Sequence, residues 1–142
     1  MSLDLGSPGS LSERRLTVSG CEALLKRHQE GRMSYQSGRG PRAVVVNYAV
    51  ERDCVLVRLP EYNELLQYSR GSETTLAVDE PCTPTGCTAT VLVTGTARSC
   101  LPRSTALSSL HEDWPDGVPT TVLRLPLTRL RGTEHWRSQS LD

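Results

Sequence analysis

The side chains best suited to chemistry are five cysteines (Cys21, Cys54, Cys82, Cys87, Cys100) and three histidines (His28, His111, His135). No Cys-x-x-Cys pair occurs, and no two histidines stand at a metal-ligand spacing, so no metal centre is expected. The cysteine count is odd and the spacing irregular. The plain reading is five reduced thiols, several of them small core residues. The other reading is a Cys82–Cys87 disulfide closing a short loop, which requires an oxidising compartment. Each histidine lies in a different segment and reads as a surface or helix-face residue. There is no Gly-x-Ser-x-Gly, no phosphate-cradling glycine-rich loop and no His-Glu-x-x-His. No nucleophile with an adjacent base is identifiable, so catalytic residues stay unassigned.

Composition narrows the partners. The 142 residues carry 16 Lys or Arg and 16 Asp or Glu, a net charge of zero. That balance gives no electrostatic footprint for nucleic acid or an anionic membrane, and neither is expected as a partner. No stretch approaches the roughly 20 apolar residues that span a bilayer. The N-terminus carries Asp4 and lacks an apolar run after a basic start, so no secretory signal and a cytoplasmic location are expected. With 4% aromatic residues and no Phe, the core must be built from Val, Leu and Ala.

The elements that must position any site follow from pattern. Residues 1–15 are rich in Ser and Gly and read as a disordered tail. Ser19 and Glu22 stand at capping-box spacing, and residues 20–30 form a short helix with Cys21, Leu24, Leu25 and His28 on one face. Gly31 sits where such a helix stops. Residues 32–37, 42–50 and 54–59 are three strands joined by turns, an antiparallel meander that Pro60 ends. Residues 61–70 are helical. Strands follow at 73–80 and 87–100, the latter with Gly95 as a bulge. A modest helix covers 102–114, and one or two closing strands cover 118–132. Residues 133–142 read as a loose tail. Six or seven strands in antiparallel runs, with short helices between them, suit a small barrel domain over 16–132. A symmetric dimer is the default assembly.

One ordered set of motifs says more. Gly31-Arg32, Val46-Asn47-Tyr48, Val57-Arg58-Leu59, Leu65 and Val78-Asp79 are followed by Thr85-Gly86-Cys87 leading into VLVTG. Trp114-Pro-Asp-Gly117 and VLRLPLTRLRG then close the series. Over about residues 18–132 this order resembles the flavin-binding split-barrel family that includes pyridoxamine 5'-phosphate oxidase and nitroimidazole reductases, in particular its small bacterial members.

The resemblance implies a mainly β, antiparallel split barrel with short flanking helices, a homodimer, and flavin mononucleotide (FMN) as cofactor. It implies an FMN-dependent oxidoreductase acting on a small molecule. Arg58 would be the phosphate cation. The strand around Val45, Val46, Asn47 and Tyr48 would border the flavin ring, and Leu59 and Asn63 would stand in the phosphate clamp. Leu59 replaces the family's Thr, Tyr62-Asn63-Glu64 replaces its Gly-Thr-Lys, and Cys87 replaces its ring-side Trp. An acid in the place of the clamp lysine is expected to lower phosphate affinity by a few powers of ten, unless Arg70, Arg42 or Arg52 compensates. The alternative implied by these departures is a cofactor-free, deazaflavin-binding or haem-binding dimer with a binding or regulatory role.

Overall fold

The computed structural model describes residues 11–82, 86–101, 107 and 114–137. Its framework is one nine-stranded sheet in the order β1-β9-β6-β5-β2-β3-β4-β8-β7. The strands are β1 (Leu11–Arg15), β2 (Glu30–Ser37), β3 (Gly40–Val50), β4 (Cys54–Pro60), β5 (Glu73–Cys82), β6 (Cys87–Thr96), β7 (Arg98–Cys100), β8 (Thr120–Pro126) and β9 (Leu130–Arg137). Every pairing is antiparallel. The sheet curls until Gly95 on β6 lies against Pro126 on β8. The expected meander is β2-β3-β4, and it pairs in sequence order.

Alternation places the core. On β6 every second residue from Cys87 to Gly95 is buried, the period-2 pattern of a strand with one face inward. The main core is aliphatic, as composition requires, with Met33, Tyr35 and Tyr48 as its larger members. Helix α1 (Val18–Arg27) covers it with Cys21, Leu24 and Leu25. Helix α2 (Glu64–Ser69) adds Leu65 and Leu66. Among the described residues no helix is long and apolar enough to cross a membrane.

Several details differ from the sequence reading. The cap of α1 is Thr17, whose hydroxyl accepts from the Gly20 amide at 3.0 Å, and not Ser19. Gly31 does not end the helix. It lies inside β2, where an added Cβ would come within 2.9 Å of the Ala77 carbonyl on β5. Residues 11–15 and 133–137, expected to be loose, pair as β1 and β9. Their polar sequences hide this, because the edge strand gains its backbone hydrogen bonds from β9 and not from apolar alternation. The helix expected over 102–114 falls almost wholly outside the described residues.

Two side chains at the end of α1 tie it to the sheet. Arg27 donates through Nε and Nη2 to the two carboxylate oxygens of Glu80 at 3.0 and 2.7 Å, and His28 Nε2 lies 2.6 Å from Oε1. The Arg27 hydrogen bond, then that of His28, holds the Glu80 carboxyl down at about 2. A depressed carboxyl contributes stability above its unfolded value near 4.5 and loses it as pH falls toward 2. Glu80→Gln is therefore expected to lower the melting temperature at pH 7 and to leave a shallower acid limb between about pH 4.5 and 2. Thermal melts at stepped pH read both effects; parallel curves for the two proteins would contradict the assignment.

Candidate functional site

The middle of β3, the end of β4 and the segment leading into α2 enclose a cavity of about 220 Å³. Val45, Val46, Asn47, Arg58, Leu59 and Asn63 line it, joined by Pro60, Tyr62 and Trp114. Strand alternation explains the division of labour. Val45 and Asn47 on β3 and Arg58 on β4 point away from the main core, while Val46 and Leu59 belong to it and border the cavity from the core side. Arg58 Nη2 reaches the Leu107 carbonyl at 3.4 Å, so the guanidinium is held at the wall and half-buried. The Asn63 side-chain oxygen caps α2 by accepting from the Leu65 amide at 2.8 Å.

Tyr48 departs from the expectation. Its side chain is fully buried, and its hydroxyl donates to the Leu25 carbonyl at 2.7 Å. Burial raises its phenol well above the ordinary value, so it stays a neutral donor. It anchors α1 to β3 and does not line the cavity. Of the seven residues singled out from sequence, the other six come together there.

Glu64 also departs. It accepts from the Tyr35 hydroxyl at 2.7 Å and lies 3.5 Å from Arg42 Nε, and it is absent from the cavity wall. Burial, and after it the Glu64 hydrogen bond, raises the Tyr35 phenol and keeps it a donor. The acid that would face a phosphate is thus turned aside and partnered. Arg42, one of three possible compensating cations, is spent on it. Arg52 and Arg70 are exposed and line no part of the cavity.

Pro60 and Tyr62 were not singled out from sequence. Their signal lies only in position, Pro60 as the last residue of β4 and Tyr62 directly before the Asn63 cap of α2. Among the described residues, the cavity offers one guanidinium, two amide side chains and an apolar strand wall. That donor set fits a ligand with an anionic end and a flat apolar body.

Cys82 and Cys87 are register partners on β5 and β6, with Cα atoms 4.8 Å apart, and they form a disulfide. The reading of five reduced thiols is corrected here. The hairpin register brings the pair together, whatever the spacing of the other three. Cys87 lies away from the cavity and lines a different one with Arg14, Cys82, Glu134 and Trp136. His28 and His135 are half-buried surface residues bonded to Glu80 and Thr90; His111 lies outside the described residues.

The profile of the pyridoxamine 5'-phosphate oxidase family matches residues 17–135. The chain belongs to that family. Solved structures agree on the family's fold. An FAD-binding protein from Mycobacterium smegmatis superposes with a TM-score of 0.67 at 20% identity, covering 87% of this chain and 98% of its own. An FAD-binding protein from Mesorhizobium loti gives 0.69 at 19%, covering 89% and 98%. An FAD- and haem-binding protein from M. smegmatis gives 0.68 at 10%, covering 90% and 76%. This member of the pyridoxamine 5'-phosphate oxidase family is therefore a split β-barrel. No curated protein matches it in sequence.

Proposed function

We propose that the chain is an FMN-dependent oxidoreductase of a small molecule, with the cofactor held in the cavity between β3, β4 and α2. The observation that carries the proposal is the convergence of Arg58, Asn47 and Asn63 on one cavity, beside Val45 and Val46, from which Glu64 is withheld. Arg58 would hold the phosphate, since a guanidinium is a matched donor for phosphate oxygens. Val45 and Val46 would border the ring, and the Asn47 amide would hydrogen-bond its polar edge. The flavin supplies the electron or hydride transfer when bound, and the protein's share is orientation and exclusion of water. Membership of the family and the FAD-binding relatives of the same fold support a flavin in this place.

A cavity of about 220 Å³ is small for a nucleotide cofactor, because ligand sites usually run to about 300–1,000 Å³. Val45 and Tyr62 stand at its edge with 65% and 73% of their surface exposed. A second copy of the chain laid over these two residues would complete the enclosure, so the working form is a homodimer. A gel-filtration mass of one chain would contradict that assembly.

The position of Glu64 makes a sharp prediction. Were it beside the phosphate, removing its charge would raise affinity by about tenfold or more, from at least 1.4 kcal/mol of relieved repulsion. Tied to Tyr35 and Arg42, it should matter little. Glu64→Gln is expected to change the FMN dissociation constant by less than about threefold, the scale of an exposed charge contribution under 1 kcal/mol. Titration by quenching of flavin fluorescence measures it. A tenfold gain would place the acid in the clamp after all.

A further inference from the structure

We propose that Cys82, Cys87 and Glu134 form a site for a thiophilic divalent cation of the zinc class, opened when the Cys82–Cys87 disulfide is reduced. The proposal is independent of the flavin reading, since this cluster shares no residue with the cavity around Arg58. The two sulfurs and a Glu134 carboxylate oxygen lie within 4.8 Å of one another. Sheet register explains the meeting. Cys82 and Cys87 close the β5–β6 pairing, Cys87 faces Trp136 on β9, and Glu134 is two residues from Trp136 and so on the same side.

A tetrahedral zinc ion with bonds of about 2.0–2.3 Å sets its donors roughly 3.3–3.8 Å apart. The cluster needs only a small contraction of the carboxylate and separation of the sulfurs to reach that spacing. Reduction permits the separation. Two small-molecule thiols break the S–S bond, become one disulfide, and leave Cys82 and Cys87 as thiols. The cation then replaces the two thiol protons, which pass to solvent, and its charge stays at two.

The frame survives this change. Ten register pairs hold β5 against β6, so the two thiols stay adjacent without their bond. Glu134 is paired with Arg14; the arginine side chain is 69% exposed and the carboxylate 21%, so the arginine can turn into solvent and leave the carboxylate to the cation. Two thiolates and a carboxylate outweigh the one arginine, so the local charge favours a cation. The adjoining cavity of about 370 Å³ admits the reductant and leaves room for a water as fourth ligand. In the oxidised protein both sulfurs are committed to each other and the site is closed.

The test uses the full chain, oxidised and after reduction and anaerobic desalting, with Zn²⁺ titrated against a chromophoric chelator. Cd²⁺ then reports thiolate ligation through its ultraviolet charge-transfer absorption. One Zn²⁺ per reduced chain is expected, with the cadmium band, and none on the oxidised chain. Cys82→Ser should weaken binding by ~100-fold and Glu134→Gln by ~10-fold, the usual range for losing a ligand or its orientation. Cys54→Ser should leave it unchanged. Circular dichroism of the reduced wild type should match the oxidised protein. Equal binding by oxidised and reduced chains would overturn the proposal. So would full affinity in Cys82→Ser or Glu134→Gln, or loss of fold on reduction.

Discussion

The Arg58→Ala variant is expected to bind FMN about 10- to 100-fold more weakly than the natural chain. Hydrogen bonds to charged groups are worth about 1.5–3 kcal/mol, and about 1.4 kcal/mol is tenfold. Arg58 is the one cationic side chain among the described residues that line the cavity. Its loss therefore removes the charge match to the phosphate, and the Asn47 and Asn63 amides cannot replace it. The half-buried guanidinium also touches the Leu107 carbonyl, so the variant needs a stability control. Without ligand the two proteins should melt within a few degrees of each other. With FMN at about a hundred times its dissociation constant, the natural chain should gain about 2.7 kcal/mol of stability, and the variant much less. Equal FMN-induced shifts in both proteins would remove Arg58 from the site.

The second large effect concerns two glycines that the curled sheet leaves no room to enlarge. A Cβ at Gly132 on β9 would run into Cys21 Sγ and come within 2.9 Å of Leu16 Cδ1. One at Gly31 would sit 2.9 Å from both the Ala77 carbonyl and Leu76 Cδ1. A carbonyl in a strand ladder cannot yield as a flexible side chain can. Gly132→Ala and Gly31→Ala should each cost about 1–3 kcal/mol, the usual range for overfilling a core. At this chain length the melting temperature should fall roughly 3–5 °C for each kcal/mol. Gly38→Ala is the control, because its Cβ would meet only the Tyr68 hydroxyl at 3.5 Å. Calorimetry of the three variants separates the cases. A neutral Gly132→Ala would mean that α1 does not press on β9 as described.

These residues also show what a sequence can carry. The meander over β2, β3 and β4 was legible because RAVVVNYAV and CVLVRL are β-rich runs bounded by turn residues. Six cavity residues were legible through the ordered motifs that resemble the family: Val45, Val46 and Asn47 stand in the middle of β3, Arg58 and Leu59 near the end of β4, and Asn63 just beyond it. Tyr48 was misplaced by its adjacency to Asn47. The period of a strand sends successive side chains to opposite faces, and Tyr48 takes the inward one. The direction of Glu64 was hidden, because its partner Tyr35 is 29 residues away and meets it only in the folded sheet. The Cys82–Cys87 bond depends on hairpin register, which cysteine spacing does not report. Gly31 looked like a helix stop, yet its reason is the close approach of β5.

The most direct test of the flavin assignment is the visible absorption spectrum of the full-length protein after incubation with FMN and gel filtration. Flavin bands that travel with the protein, close to one cofactor per chain, are the predicted result. A colourless protein fraction with the FMN eluting behind it would contradict the account, and so would a haem Soret band in place of the flavin.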